Sequence, residues 1–172
     1  MPLRKLVIAE KRIPIRVEWT SPERDGYVRF LVPLEIDGIV DAGLTLSGGA
    51  YHPYRDQHVS LELAILDHNG SRRIRLARID WKSLRKGHSN NSRKCSGPWG
   101  GERVPETHLH SFDLNYIEAE GRMKAGKLPC AEPIPEPLQT FEELRRFCGT
   151  CFKINNIDIV PPPDWEYDLF DE

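Results

Sequence analysis

The sequence predicts an α+β domain, a mainly antiparallel β-meander of five to six strands packed against one or two C-terminal helices. Three observations carry that expectation. Apolar and polar residues alternate through Val28–Ile36, Val40–Leu46 and Val59–Ile65, which is the period of half-buried strands. Asp37-Gly38 and the Asp67-to-Gly70 run supply hairpin turns, and connections this short make the strands antiparallel. Near the C-terminus the period becomes helical. Phe141, Leu144, Cys148 and Cys151 share one face behind a Thr140/Glu143 capping box.

Taken in order, Ile13, Ile15, Val17 and Trp19 alternate as an edge strand, since Pro14 cannot donate to a ladder. The next hairpin joins the Val28 and Val40 runs, and Ser47-Gly-Gly-Ala50 is expected to break the second of them. Val59 to Ile65 turns at Asp67–Gly70 into Arg72–Trp81. Periodicity then vanishes from Lys82 to Pro105, a length of loop that is usually functional or mobile. A short strand is expected to put His108, His110, Phe112 and Leu114 on one face, with residues 116–126 helical after it. Leu128 to Pro137 reads as a proline-stiffened connector. The helix from Thr140 is expected to end near Gly149 or soon after. Residues 1–160 form one domain and 161–172 an acidic, proline-led tail, with Trp165 and Phe170 as its anchors.

A chain of 172 residues is long enough to bury a core without staples. The balance of 24 basic against 26 acidic residues excludes a global field that would draw the chain to nucleic acid or membrane. No apolar run approaches the roughly 20 residues needed to span a bilayer, and the apolar stretch after Met1 is too short for a signal peptide. The four cysteines are too sparse for a disulfide framework, so free thiols and a cytoplasmic setting are expected. Cys148-Gly-Thr-Cys151 could join Cys95 and Cys130 in a thiolate zinc site. Both helix cysteines, however, continue the apolar stripe and read as core residues.

The histidines carry the functional argument. His108 and His110 lie two apart on a strand, about 6.5–7 Å along one side, and His88 can converge on them from the loop. Imidazole moves protons near neutral pH and is the commonest metal ligand. Arg72, Arg73, Arg75 and Arg78 form the dense basic run, and guanidinium is the natural partner of phosphate oxygens. The set predicts catalytic His108, His110 and His88, with Arg75, Arg78 and Asp80 binding an RNA or nucleotide phosphate. Such a site would cleave a phosphodiester by acid–base chemistry without a metal or other cofactor. Two other classes fit the same residues. One is a non-enzymatic module that meets a protein or nucleic-acid partner through its long loop. The other is a metal-binding domain built on His88, His108 and His110.

Two resemblances accompany this reading. His58-Val-Ser-Leu resembles one half of the paired H-x-[ST]-x signature of 2H phosphoesterases, although the second half, His108-Leu-His110-Ser, has His where Ser or Thr is required. The order Arg75-x-x-Arg78-Ile-Asp80, His88-x-Asn90, Thr107-His-Leu-His-x-Phe112 and Thr140-to-Cys148 is similar to small bacterial and phage proteins with an H-x-N loop followed by H-L-H-x-[FY]. These are distantly akin to the TumE family of toxin–antitoxin toxins. That resemblance covers about half the chain and departs where Asn90-Asn-Ser-Arg replaces N-P-D-G. It implies a toxin-like nuclease in which Arg78, Asp80, His88, His108 and His110 matter.

Overall fold

The computed structural model describes residues 2–166. A short helix α1 (Leu3–Ile8) precedes the hairpin of β1 (Tyr27–Ile36) and β2 (Ile39–Tyr51), and β3 (Val59–Leu66) and β4 (Arg73–Trp81) extend the meander. Next come the small hairpin β5 (His88–Ser89) and β6 (Arg103–Val104), then β7 (His108–His110) and the single turn α2 (Phe112–Asn115). A second small hairpin, β8 (Tyr116–Ile117) and β9 (Arg122–Met123), leads to β10 (Glu132–Pro133) and α3 (Phe141–Phe152). The main sheet has six strands in the order β1-β2-β3-β4-β7-β10, all neighbours antiparallel. No helix among the described residues is long and apolar enough to cross a membrane.

The two sheet faces differ in chemistry. Alternation sends Phe30, Val32, Leu46, Leu61, Leu63, Ile79 and Trp81 to one face, where they are buried with Phe141, Leu144 and Cys148 of α3. The α3 capping box forms as the sequence predicts: Thr140 accepts from the Glu143 amide and the Glu143 carboxylate accepts from the Thr140 amide. The helix runs to Phe152, and Lys153 closes it in the left-handed conformation. The opposite face carries Ser47, Ser60, Glu62, Arg78, Asp80, His108 and His110 in cross-strand rows.

A bulge in β4 builds that polar face. Leu63 and Ala64 are consecutive in β3, but their partners are Ala77 and Arg75, so Leu76 is an extra residue. Alternation therefore resets between Arg75 and Arg78, and both arginines emerge on the same side while Leu76 and Ala77 are buried.

Several expectations are corrected. Residues 11–19 are extended but not a strand, touching β1 through one bridge, Arg12 to Glu35. The Ile13 backbone is instead satisfied by the Asn156 side-chain amide. Ser47–Ala50 does not break β2. Rings of Phe30 and Tyr27 lie across Gly48 and Gly49, where any Cβ would collide with them. The Lys82–Pro105 segment is not structureless, since it folds back as β5–β6. Gly87 permits this with φ +87°, because a Cβ there would strike the Val104 carbonyl. The strand through His108 stops at His110, and Phe112 and Leu114 enter α2. Residues 116–126 form the β8–β9 hairpin around a 3-10 turn rather than a helix. Within the tail, Trp165 is buried against Phe141, and Phe170 lies outside the described residues.

The cysteines also correct the expectation. Cys95 and Cys130 form a disulfide, so they are not free thiols, and sparse cysteines no longer argue for reducing surroundings. Cys148 is free and fully buried as expected, and Cys151 is free and half-buried. Their place in the α3 core leaves no thiolate cluster for zinc.

Candidate metal centre

Pairing of β7 on β4 fixes the site. The register sets His108 opposite Asp80 and His110 opposite Arg78, and directly opposed residues share a face. Leu109, between the histidines, turns toward the core. Asp80 is the hub. Its Oδ2 lies 3.2 Å from the Nε2 of each histidine and 2.9 Å from the Arg78 guanidinium. Burial alone would raise the Asp80 carboxyl, but the two imidazoles and Arg78 outweigh it and hold it well below the usual carboxylate range.

His88 arrives from β5 and completes the cluster. Its ring is 4.8 Å from that of His108 and 5.4 Å from that of His110, centroid to centroid, and the latter two are 5.0 Å apart. One ring nitrogen from each histidine lies within 4.8 Å of the others. His108 and His110 are each 2% exposed, and His88 is half-buried.

Hydrogen bonds assign the protons. His108 Nδ1 is 2.7 Å from the Pro105 carbonyl oxygen, which can only accept, so Nδ1 carries a hydrogen and Nε2 is the ring nitrogen that faces Asp80. Although that Nε2 is near Asp80, it makes no well-aligned hydrogen bond. His88 Nδ1 donates in the same way to the Ser89 carbonyl at 3.3 Å, leaving its Nε2 buried and unpartnered. His110 Nε2 contacts both Asp80 and Arg78, and its Nδ1 is buried without a partner. Burial lowers the pKa of His88 and His110, although Asp80 pulls the other way, and so favours neutral rings. Each of the three histidines thus has one buried nitrogen that makes no hydrogen bond.

The chain holds this arrangement from behind. The Asn90 side chain donates to the Trp99 and Ala131 carbonyls and accepts from the Ala131 amide, so one buried amide stands in for a strand partner. Asn115 does the same for Cys130, donating to its carbonyl at 2.8 Å and accepting from its amide at 2.9 Å. With the Cys95–Cys130 bond, these contacts tie the His88 loop to the segment entering β10.

Sequence reasoning named five of the residues that meet here: His88, His108, His110, Arg78 and Asp80. It also placed Arg75 in the site, whereas Arg75 bonds to Glu62 at 2.8 Å and stands apart from the histidines. His58 is separate as well, packing on Tyr51 and accepting from the Leu84 amide. It missed Asn115, the Pro105 carbonyl and the disulfide. Asn90 entered only through the H-x-N resemblance, and nothing in its local sequence marks it as buried.

Comparison with protein-family models, with curated proteins and with solved structures finds no match. The geometry of the cluster therefore bears the functional question.

Proposed function

We propose that this protein is a metal-binding domain in which His88, His108 and His110 hold one divalent transition-metal ion of the zinc class. The carrying observation is the convergence of three histidines, each with a ring nitrogen within 4.8 Å of the others and each with a buried nitrogen that makes no hydrogen bond. Buried polar atoms are almost always satisfied, so three such exceptions on neighbouring rings point to a ligand. A tetrahedral ion with bonds of about 2.0–2.1 Å would draw the nitrogens to roughly 3.3 Å apart, a modest inward adjustment. Pro105 and Ser89 would fix the rings of His108 and His88. Asp80 would take the Nε2 hydrogen of His110, as carboxylates behind metal-bound histidines do, once the Arg78 guanidinium, which can only donate and lies 2.9 Å from that nitrogen, moves aside. Burial of His108 and His110 also favours this reading over unaided acid–base cleavage, because a phosphodiester would have to touch imidazoles that are 2% exposed.

Three protein ligands leave a position for water, the arrangement of hydrolytic zinc sites. A specific observation supports hydrolysis as a second reading. Asp80 also lines a polar cavity of about 170 Å³ with Tyr27, His58 and Ser60. Arg78 beside it offers charge to an anionic substrate such as a phosphodiester, which is the toxin-like nuclease reading in metal-dependent form.

The test is metal content after exhaustive dialysis, with cobalt(II) substitution as a spectroscopic readout. One ion per chain and a tetrahedral cobalt spectrum are expected, both lost in His108→Ala and His110→Ala and retained in His58→Ala. Failure of wild-type protein to hold zinc, cobalt, nickel or manganese at stoichiometry would remove the metal reading. RNA and cyclic nucleotides left intact by the metal-loaded protein would remove the hydrolytic one alone.

A further inference from the structure

A second cavity lies away from the histidines. It is a cleft of about 700 Å³ under α1, between the β3–β4 turn and the segment after the β8–β9 turn. That volume is in the range of small-molecule sites, roughly 300–1,000 Å³. Leu6, Ile74, Met123 and Leu128 give it an apolar floor, and two of these, Leu6 and Leu128, are fully buried.

Its rim is basic. Arg72, Arg73, Arg75, Arg122 and Lys124 all line the cleft, and Asp67 is the one acidic residue among them. Asp67 is already spent on its own turn, accepting from the Ser71 and Arg72 amides and the Ser71 hydroxyl. Arg73 and Arg75 are held by Glu62, Lys124 donates to the Leu114 carbonyl, and Arg122 pairs with Glu120. Arg72 differs from these. Its exposed guanidinium makes no ion pair or side-chain hydrogen bond among the described residues, while its chain neighbours all do. An apolar hollow with an uncommitted guanidinium at its mouth is complementary to a molecule with an anionic head and an apolar body.

We propose that this cleft binds a small amphipathic anion, a carboxylate or phosphate monoester on an aliphatic body. Arg72 takes the head, and Leu6, Ile74, Met123 and Leu128 take the body. The site is independent of the metal centre and would persist in a chain lacking His108.

Isothermal titration with decanoate, decyl phosphate and decyltrimethylammonium tests the idea below their micelle concentrations. One decanoate or decyl phosphate per chain is expected, and whichever binds tighter identifies the head group. The cationic amphiphile should bind at least tenfold more weakly. Arg72→Glu should weaken the anions about tenfold or more, the scale of one charge-assisted bond, without moving the melting temperature. Met123→Trp should abolish binding by filling the hollow, even if it alters stability. Equal binding of the cation, binding unchanged in Arg72→Glu, or association only with phosphatidylglycerol vesicles would each overturn the proposal.

Discussion

A single ammonium group closes two helix ends in this molecule. Lys11 is buried, and its Nζ donates to the carbonyls of Val7, Ala9 and Phe152 at 2.9, 2.7 and 3.0 Å. Two of these are among the carbonyls that the ends of α1 and α3 leave without helical partners. Lys11→Met should cost about 2–4 kcal/mol, because acceptors left dry are expensive, and denaturant titration measures it. The pH dependence has a definite sign. Burial pushes the amine down from 10.5 to about 8, so between those values the unfolded chain binds more proton. The cost of burying the ammonium is full below pH 8 and is relieved as pH rises toward 10.5. The deficit of Lys11→Met relative to wild type should therefore widen over that window, and a constant deficit would show that the amine is not depressed. Nothing in Glu10-Lys-Arg announces this role, since a buried lysine looks like any other in sequence. His108 and His110 were more legible, because strand alternation alone puts them on one face. Their alignment with Asp80 and Arg78 was not. It depends on which strand β7 joins and in what register, and the whole Lys82–Pro105 segment intervenes.

Among the elements, those with local signals were readable. Asp37-Gly38 makes the two-residue turn it announces, with φ of 50° and 78°, and the α3 capping box forms on the residues named for it. Elements defined by distant partners were not readable. β5, β6, β8, β9 and β10 are two residues each, too short for any period to show. The Leu76 bulge is also invisible in sequence, yet it decides which arginines share a face. Leu76 is fully buried, and Leu76→Ala should cost about 2–5 kcal/mol. Deleting Leu76 should do more than that. Restored alternation would turn Arg73 and Arg75 toward the core side or Arg78 and Asp80 away from the histidines. Loss of a cooperative thermal transition is expected, and a deletion variant that melts like wild type would disprove the bulge's role.

At the scale of the whole molecule, the sheet separates two tasks. One face is a hydrophobic core closed by α3, and the other is a polar surface whose end is roofed by the His88 loop. The α+β class and the core followed from alternation and the helical stripe. The roof did not, because its fastenings are two buried asparagine amides and a disulfide rather than any patterned element. Cys95→Ser should destabilise the protein by about 3–4 kcal/mol on chain-entropy grounds, given a separation of 35 residues. If the roof holds His88 in place, the same variant should bind zinc more weakly, whereas Cys151→Ser should not. Equal zinc affinity in Cys95→Ser would show that the two asparagines suffice.

The Cys95–Cys130 bond also makes part of the chain a closed ring. β6, β7, α2, β8 and β9 lie inside it, and β5 and α3 lie outside. A protease that cuts once anywhere between the two cysteines therefore separates nothing. The nicked molecule runs as one band on a non-reducing gel and as two after thiol treatment. His108 and His110 are thereby covalently insured against a single backbone break, whereas a cut between His88 and Cys95 detaches the third histidine from the ring that holds the other two.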